Sequence, residues 1–275
     1  MREAGTTEEV LQEQAGYFNV PGAHLYTVLH PVAHPVARVL LIGPFAPERQ
    51  FSYHHWTRWA RYLAAKRCEV VRFDYRGTGE STGSFEEMSL ENWSEDVDVL
   101  VDWLLERSPR VPLLLHGIEL GAVFGGRIFA SGRGDALLMW SPPQNANHAL
   151  RTSLRRWAAV EQFYESPETR RSASEFIREL ESGNPIEVQG YHWSSRLWKE
   201  SFHIGMPSEL NGKASCDLGD RPMKAVTFGK NAETLALPFK RYEEGQDFTD
   251  LYSSTSEWIS NVVSLRPGDP NASTN

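Results

Sequence analysis

Two glycines flank a glutamate in the segment Gly117-Ile118-Glu119-Leu120-Gly121. An apolar run ends just before this segment and a helical pattern begins just after it, which predicts a sharp strand-to-helix turn. Small residues on both sides of such a turn permit a strained backbone that exposes the central side chain, as in sites that present a nucleophile. The spacing therefore predicts a nucleophile elbow, but its central residue is the carboxylate of Glu119 instead of a serine hydroxyl.

The other members of a Ser-His-Asp triad are missing where the chain order Ser, acid, His predicts them. The acid is expected in the loop 229–233, where Glu233 alone qualifies. The histidine is expected in the segment 243–248, which contains none, and no histidine follows His203. Because both the nucleophile and the base are lost, we expect no conventional Ser-His-Asp catalysis.

Glu119 has two other roles to consider. A carboxylate nucleophile would form an ester whose hydrolysis needs histidine-activated water. Glutamate also places its oxygen more than ~1 Å beyond an aspartate oxygen, a misplacement that can cost ~10²-fold in rate. Alternatively, backbone N–H groups of Leu120 and of the loop near Phe45, the oxyanion hole of an active relative, hold the carboxylate at the helix N-terminus. The elbow is then a filled anion site, or it offers a carboxylate to a cationic or hydroxyl-bearing ligand such as a sugar.

Single histidines elsewhere are candidate partners for Glu119. His192 and His203 lie in a predicted cap and could fold over the elbow to form an acid–base pair, although positions without chemistry are the commoner outcome. The other histidines weighed in this way are His54, His55, His116 and His148. No cluster with metal-ligand spacing is present, so we expect no metal and no cofactor.

Short apolar runs alternate with amphipathic helices around the elbow. Strands are predicted over 37–43, 68–75, 111–115 and 136–140, and helices over 51–66, near 97–105 and over 122–130. This alternation requires crossover connections, and therefore a doubly wound, mostly parallel sheet with helices on both faces. Strands at 223–229 and 238–242 and a helix at 248–265 complete the predicted α/β core.

An inserted helical cap interrupts the predicted core. The predicted divisions are an N-terminal segment 1–19, core 20–143, cap 144–215, core 216–265 and a disordered tail 266–275. Cap aromatic side chains either line an apolar or sugar-stacking cleft or pack the cap against the core. They are Trp157, Phe163, Tyr164, Tyr191, Trp193, Trp198 and Phe202. Cap arginines 151, 155 and 156 either bind an anionic substrate group or form a solvated helix face.

Composition excludes several classes of protein. The 275 residues carry a formal charge of −8, which gives no basic surface for nucleic acid. The cysteines at 68 and 216 are two isolated thiols, which suits a reduced compartment. The polar N-terminus and the lack of an apolar run of ~18 residues predict a soluble, cytoplasmic chain without membrane insertion.

Five segments carry a resemblance to a known family. They are 43–48 (GPFAPE), 74–85 (DYRGTGESTGSF), 93–96 (WSED), 138–142 (LMWSP) and 154–156 (LRR). They resemble the exosortase A system-associated hydrolases of the second type, and the order of elements over residues 20–265 resembles the α/β-hydrolase superfamily. The resemblance implies a bacterial protein linked to exopolysaccharide or surface-protein export. It does not imply a reaction.

Three functions follow as hypotheses. The first is an inactive or non-conventional hydrolase relative that binds a small acyl or saccharide ligand between cap and core. The second is an active hydrolase of ester or amide substrates that uses Glu119 with a cap histidine. The third is an interaction protein, whose cap surface binds a protein partner from an export or polysaccharide-assembly system.

Overall fold

The computed structural model describes residues 12–107, 109–218, 221–226 and 248–264. Its strands, in chain order, are β1 (Gln14–Val20), β2 (Ala23–His30), β3 (Ala37–Ile42), β4 (Cys68–Phe73), β5 (Leu113–Ile118), β6 (Ala136–Trp140), β7 (Ile186–Val188), β8 (Tyr191–Trp193), β9 (Ser215–Leu218) and β10 (Arg221–Val226). Within these ranges, a sheet of eight strands has the order β1-β2-β4-β3-β5-β6-β10-β9, and β7 pairs with β8 in a separate hairpin.

The middle of the sheet is parallel. Strands β4, β3, β5, β6 and β10 run in one direction, and Leu40 of β3 lies between Val71 of β4 and Leu115 of β5. Strands β1, β2 and β9 run antiparallel to their neighbours. Every residue of β3, β4, β5 and β6 is buried, as parallel strands covered on both faces require. The predicted doubly wound α/β fold with a mostly parallel sheet is confirmed.

Helices cover both faces of this sheet. In chain order they are α1 (Ala46–Ala65), α2 (Leu90–Arg107), α3 (Leu120–Ala130), α4 (Ala146–Tyr164), α5 (Ala173–Glu181), α6 (Ser195–Glu200) and α7 (Thr249–Ser264). Trp59 of α1 and Ile259 of α7 pack with Leu114 on one face, whereas Phe124 of α3 packs with Leu115 on the other. In the described ranges, no helix combines the length and the apolar character needed to cross a bilayer.

The edges of the sheet differ from the sequence prediction. The predicted core starts at residue 20, whereas β1 begins at Gln14 and pairs with β2 along its whole length. Most residues of β1 are exposed, so the strand lacks the apolar run that identifies the central strands. The predicted strand 238–242 and the predicted tail 266–275 lie outside the described residues.

The predicted cap contains α4, α5, the β7–β8 hairpin and α6. Its buried side chains, among them Phe176 and Trp193, belong to the same apolar cluster as those of α2 and α3. A polar contact adds to this packing, because the backbone N–H of Leu90 at the start of α2 donates to Glu200 Oε2 at 3.0 Å. The cap is therefore held against the core.

A single residue, Glu119, joins β5 to α3. Its φ of 49° and ψ of −117° form a backbone conformation that residues with a side chain rarely adopt. Two glycines make the turn sterically possible. A Cβ on Gly117 would lie 2.4 Å from Ala122 Cα, and a Cβ on Gly121 would lie 2.1 Å from the carbonyl oxygen of Ile42. The turn thus has the geometry that the spacing of the two glycines predicts.

Replacing Gly121 with alanine should destabilise the fold by about 1–3 kcal/mol or more, because backbone atoms of β3 cannot move away from the new methyl group. Gly16→Ala is the matched control, since a Cβ on Gly16 meets no atom within 4 Å. We expect the control to change the free energy of unfolding by less than ~0.5 kcal/mol. Urea unfolding measures both variants, and equal stabilities would contradict the close contact at the elbow.

Candidate functional site

The carboxylate of Glu119 binds an arginine of the cap. Arg156 on α4 places Nη2 3.0 Å from Glu119 Oε1. The two side chains keep 20% and 21% of their surface exposed, so the pair is largely shielded from water but still accessible. Because both groups carry full charges, the hydrogen bond is stronger than one between neutral groups. The carboxylate at the elbow is therefore already bound by the cap.

Glu48 is a second carboxylate on the same guanidinium. It lies in the first turn of α1, and 5% of its side chain is exposed. Its Oε1 lies 3.4 Å from Arg156 Nη1, and the hydroxyl of Ser153, one turn earlier on α4, faces it. Glu48, Arg156 and Glu119 are called the elbow cluster below. The cluster joins the first core helix, the cap and the elbow.

One guanidinium serves two carboxylates in the elbow cluster. Burial, followed by the negative charge of Glu119, raises the pKa of Glu48 to about 7, although Arg156 acts in the opposite direction. Burial lowers the pKa of Arg156, but the charges of Glu119 and Glu48 outweigh this effect and raise it. Arg156 therefore stays protonated, and Glu48 gains or loses its charge near neutral pH.

Arg156 holds the Glu119 carboxylate where the sequence predicts backbone amides. The Glu119 side chain makes no capping hydrogen bond at the start of α3, so the expectation that Leu120 N–H and the Phe45 loop hold it is wrong. Leu120 and Phe45 are both buried beside the elbow. Their proposed role as an oxyanion hole stays a prediction. Glu119 binds Arg156 in preference to the backbone amides because a guanidinium carries a full positive charge, whereas a helix N-terminus carries about half of one.

The candidate histidines lie elsewhere. His192 on β8 and His203 after α6 are exposed, and neither forms an ion pair or a hydrogen bond with Glu119. His116 is buried against Trp56 and Trp140, with ring centroids 5.4 and 4.7 Å apart. Burial lowers the pKa of His116 to about 3, so it is a neutral packing residue. The acid–base pair with a cap histidine is therefore not formed in this structure.

The three cap arginines have different environments. Arg155 is exposed, whereas Arg151 donates to Asn147 Oδ1 at 2.7 Å and lies over the ring of Trp198. Arg156 lies three residues after buried Ser153 and four before buried Val160, on the flank of α4 that faces the core. Neither predicted role describes Arg156, because the anion it binds belongs to the protein. The helical spacing is the one sequence signal that separates Arg156 from its neighbour.

Most of the cap aromatic residues pack instead of lining a cleft. Trp193 meets Phe45 edge to face at 4.6 Å, and Tyr191 meets Phe85 at 4.7 Å. Trp198 is also buried, and Trp157 packs against the apolar core. The exposed members of the set are Phe163, Tyr164 and Phe202. The β7–β8 hairpin is therefore an aromatic anchor of the cap on the loops beside the elbow.

The loop after β4 supports α1 next to Glu48. Arg49 Nε donates to Asp74 Oδ1 at 2.8 Å, and the backbone N–H of Glu80 donates to Asp74 Oδ2 at 3.1 Å. Arg76 makes a buried ion pair with Asp96 of α2. This agrees with the expectation that the loop serves turn geometry through Asp/Arg bonding. The expected acid position, Glu233, and the segment 243–247 lie outside the described residues.

No known protein family and no curated protein matches the sequence. Est1E from Butyrivibrio proteoclasticus, solved with ferulic acid, matches with a TM-score of 0.60 and 14% identity over 90% of this chain and 99% of that chain. A soluble variant of monoglyceride lipase from Saccharomyces cerevisiae matches with a TM-score of 0.53 and 14% identity over 95% and 99%. A shorter match, with 18% identity and a TM-score of 0.41 over 49% of this chain, spans 65% of an alpha-beta serine hydrolase homologue from Coxiella burnetii.

The first two of these structures cover nearly the whole of both chains, and the chain has the α/β-hydrolase fold. At such identities the similarity extends to the fold and no further. Activity has to be argued from the site, because one fold carries many chemistries.

The raised pKa of Glu48 predicts a specific pH dependence of stability. The folded chain holds a proton that an unfolded glutamate releases above about 4.5, so the free energy of unfolding should fall as the pH rises from about 4.5 to about 7. Glu48→Gln should remove this fall, on the order of 1–3 kcal/mol, and should be at least as stable as the wild type above pH 7.

Glu91→Gln is the matched control, because Glu91 also lies in the first turn of a helix but is exposed. Denaturant unfolding across this pH range measures all three proteins. A Glu48→Gln profile parallel to that of the wild type would contradict the assignment.

Proposed function

We propose that the chain is a non-conventional relative of the α/β hydrolases that binds a small, hydroxyl-rich ligand of the saccharide class between cap and core. The observation that carries this proposal is the elbow cluster. Glu119 stands at the position of a nucleophile, yet its carboxylate is bound to Arg156 of the cap, and Glu48 lies behind it. The position that would deliver a nucleophile is used for polar recognition instead.

The chemistry of the cluster favours a saccharide over an acyl ligand. Carboxylate oxygens accept hydrogen bonds from hydroxyl groups, and a guanidinium donates in a fixed planar geometry. An acyl chain would instead need an apolar cleft. The cap side chains best suited to line one, Trp193 and Trp198, are buried in packing contacts.

Hydrolysis by a serine-type mechanism is not part of this proposal. Arg156 is the side chain that pairs with Glu119, but a guanidinium stays protonated and cannot act as a general base. A second mechanism, in which a cap histidine assists Glu119, lacks a histidine in contact with Glu119 among the described residues. We therefore assign the elbow a role in ligand binding and not in the activation of a nucleophile.

The likeness of five segments to exosortase-associated hydrolases supports a place in exopolysaccharide or surface-export biology. A saccharide ligand fits that setting, since polysaccharide assembly supplies and consumes such compounds. The chemistry of the elbow cluster and the resemblance of the five segments therefore both support a saccharide ligand.

Ligand binding should depend on Arg156 and not on its neighbour. Arg156→Met keeps the length of the side chain but removes its charge and donors, so it should weaken saccharide binding at least tenfold. Arg155→Met is the matched control, because Arg155 is exposed on the same helix turn. Isothermal titration calorimetry with neutral mono- and oligosaccharides measures both variants, and thermal unfolding confirms that each is folded. Equal binding by the two variants, or no saccharide binding by the wild type, would contradict the proposal.

Serine at the elbow should not restore hydrolysis. Glu119→Ser supplies a hydroxyl but no base, so its turnover of p-nitrophenyl esters should stay at the wild-type level. A fluorophosphonate probe should leave the wild-type protein unlabelled for the same reason. Stoichiometric labelling of the wild type, or robust ester hydrolysis by the variant, would reveal a base that this account lacks.

A further inference from the structure

The elbow cluster contains one more negative group than positive groups. Arg156 lies 3.0 Å from Glu119 and 3.4 Å from Glu48, so its two Nη atoms are each engaged by a different carboxylate. The second oxygen of Glu48, Oε2, faces the neutral hydroxyl of Ser153 and has no charged donor within the described part of the chain. A nearly buried carboxylate oxygen is thus left without a positively charged partner.

A buried carboxylate without compensation is unstable as an ion, and it either takes up a proton or requires a further cation. Among the described residues, the charged and polar groups that face Glu48 are Glu119 from the elbow and Arg156 and Ser153 from α4. Burial and the charge of Glu119 raise the pKa of Glu48 to about 7, so a proton neutralises the surplus charge at and below neutral pH. The proton thus compensates a charge for which the described residues supply no second cation.

A ligand can contact this cluster only through its partly exposed members. Glu119 and Arg156 each keep about a fifth of their side-chain surface exposed, whereas Glu48 keeps 5%. A group that contacts Glu119 therefore approaches the oxygen atoms that carry the surplus charge. A neutral hydroxyl group can donate one hydrogen bond there, but it leaves the charge uncompensated.

We propose that the ligand of the elbow cluster carries a primary ammonium group beside its hydroxyl groups, as in an aminodeoxy sugar, and that this ammonium replaces the proton of Glu48. This inference rests on the saccharide-binding function proposed above and narrows the ligand to a cationic class. The ammonium donates hydrogen bonds to the partly exposed Glu119 carboxylate, and its full positive charge offsets the negative charge that Glu48 then carries. Glu48 releases its proton to solvent as the ammonium binds.

This exchange couples binding to pH. Below about pH 7, where Glu48 holds its proton, each bound ligand should release close to one proton. The affinity should then rise up to about tenfold for each pH unit and level off above the pKa of Glu48. A ligand that lacks the ammonium group should show neither effect.

The test compares 6-amino-6-deoxyglucose with glucose, a pair that differs in one ammonium group. Calorimetry at pH 6 in two buffers of different ionisation enthalpy counts the protons released on binding. We expect the amino sugar to bind at least tenfold more tightly than glucose and to release close to one proton. In Glu48→Gln the proton release should vanish, whereas Glu91→Gln should behave as the wild type.

The outcomes separate this inference from the function on which it rests. Equal binding of the two sugars, or tight binding of the amino sugar without proton release, would overturn the inference and leave saccharide binding intact. Proton release that persists in Glu48→Gln would also overturn it, because another group would then carry the proton. Binding of neither sugar would instead remove the saccharide class itself.

Discussion

The ion pair between Arg156 and Glu119 connects the cap to the sharpest turn of the core, and the rest of the site depends on it. A guanidinium that is largely withdrawn from water needs an anion nearby, and removing one partner of such a pair leaves an uncompensated charge that costs several kcal/mol. Because Glu119 is this anion, the elbow side chain cannot be changed without affecting the cap. Glu48 shares the Arg156 guanidinium with Glu119. Burial and the negative charge of Glu119 therefore raise the pKa of Glu48.

This pairing is possible because the turn between β5 and α3 places the Glu119 side chain against the cap. The strained backbone at Glu119 is maintained by two close contacts of Gly117 and Gly121, one with α3 and the other with the end of β3. Structural relatives such as Est1E share this fold at 14% identity over nearly their full length. The same scaffold thus presents a carboxylate for ion pairing in this chain, which illustrates how a fold constrains geometry more strongly than chemistry.

Much of the fold is readable from the sequence, and the reasons are physical. The strands β3, β4 and β6 are buried on both faces, so β6 is a continuous apolar run and β3 and β4 are mostly apolar, which a pattern-based prediction finds. The elbow is predictable because two glycines at this spacing, between an apolar run and a helical pattern, are typical of a sharp strand-to-helix turn.

The sequence does not predict strand β1, because β1 is an exposed edge strand whose side chains need not be apolar. The cap residue that binds Glu119 is not predicted either, because helical spacing separates Arg156 from its neighbour but does not tell which part of the core the buried face of α4 meets. The role of Glu48 in the site is not predicted, because the helix dipole alone is enough to favour a glutamate in the first turn of a helix.

The most direct test of this account is a double-mutant cycle between Glu119→Gln and Arg156→Met, with the free energy of unfolding measured for the wild type, both single variants and the double variant at pH 7. Residues that contact each other in this way typically couple by about 0.5–3 kcal/mol. We predict a favourable coupling of at least about 1 kcal/mol, because the pair is largely shielded from solvent. Additive effects of the two substitutions, with a coupling energy near zero, would show that Arg156 does not hold the Glu119 carboxylate and would contradict the assignment of the elbow cluster.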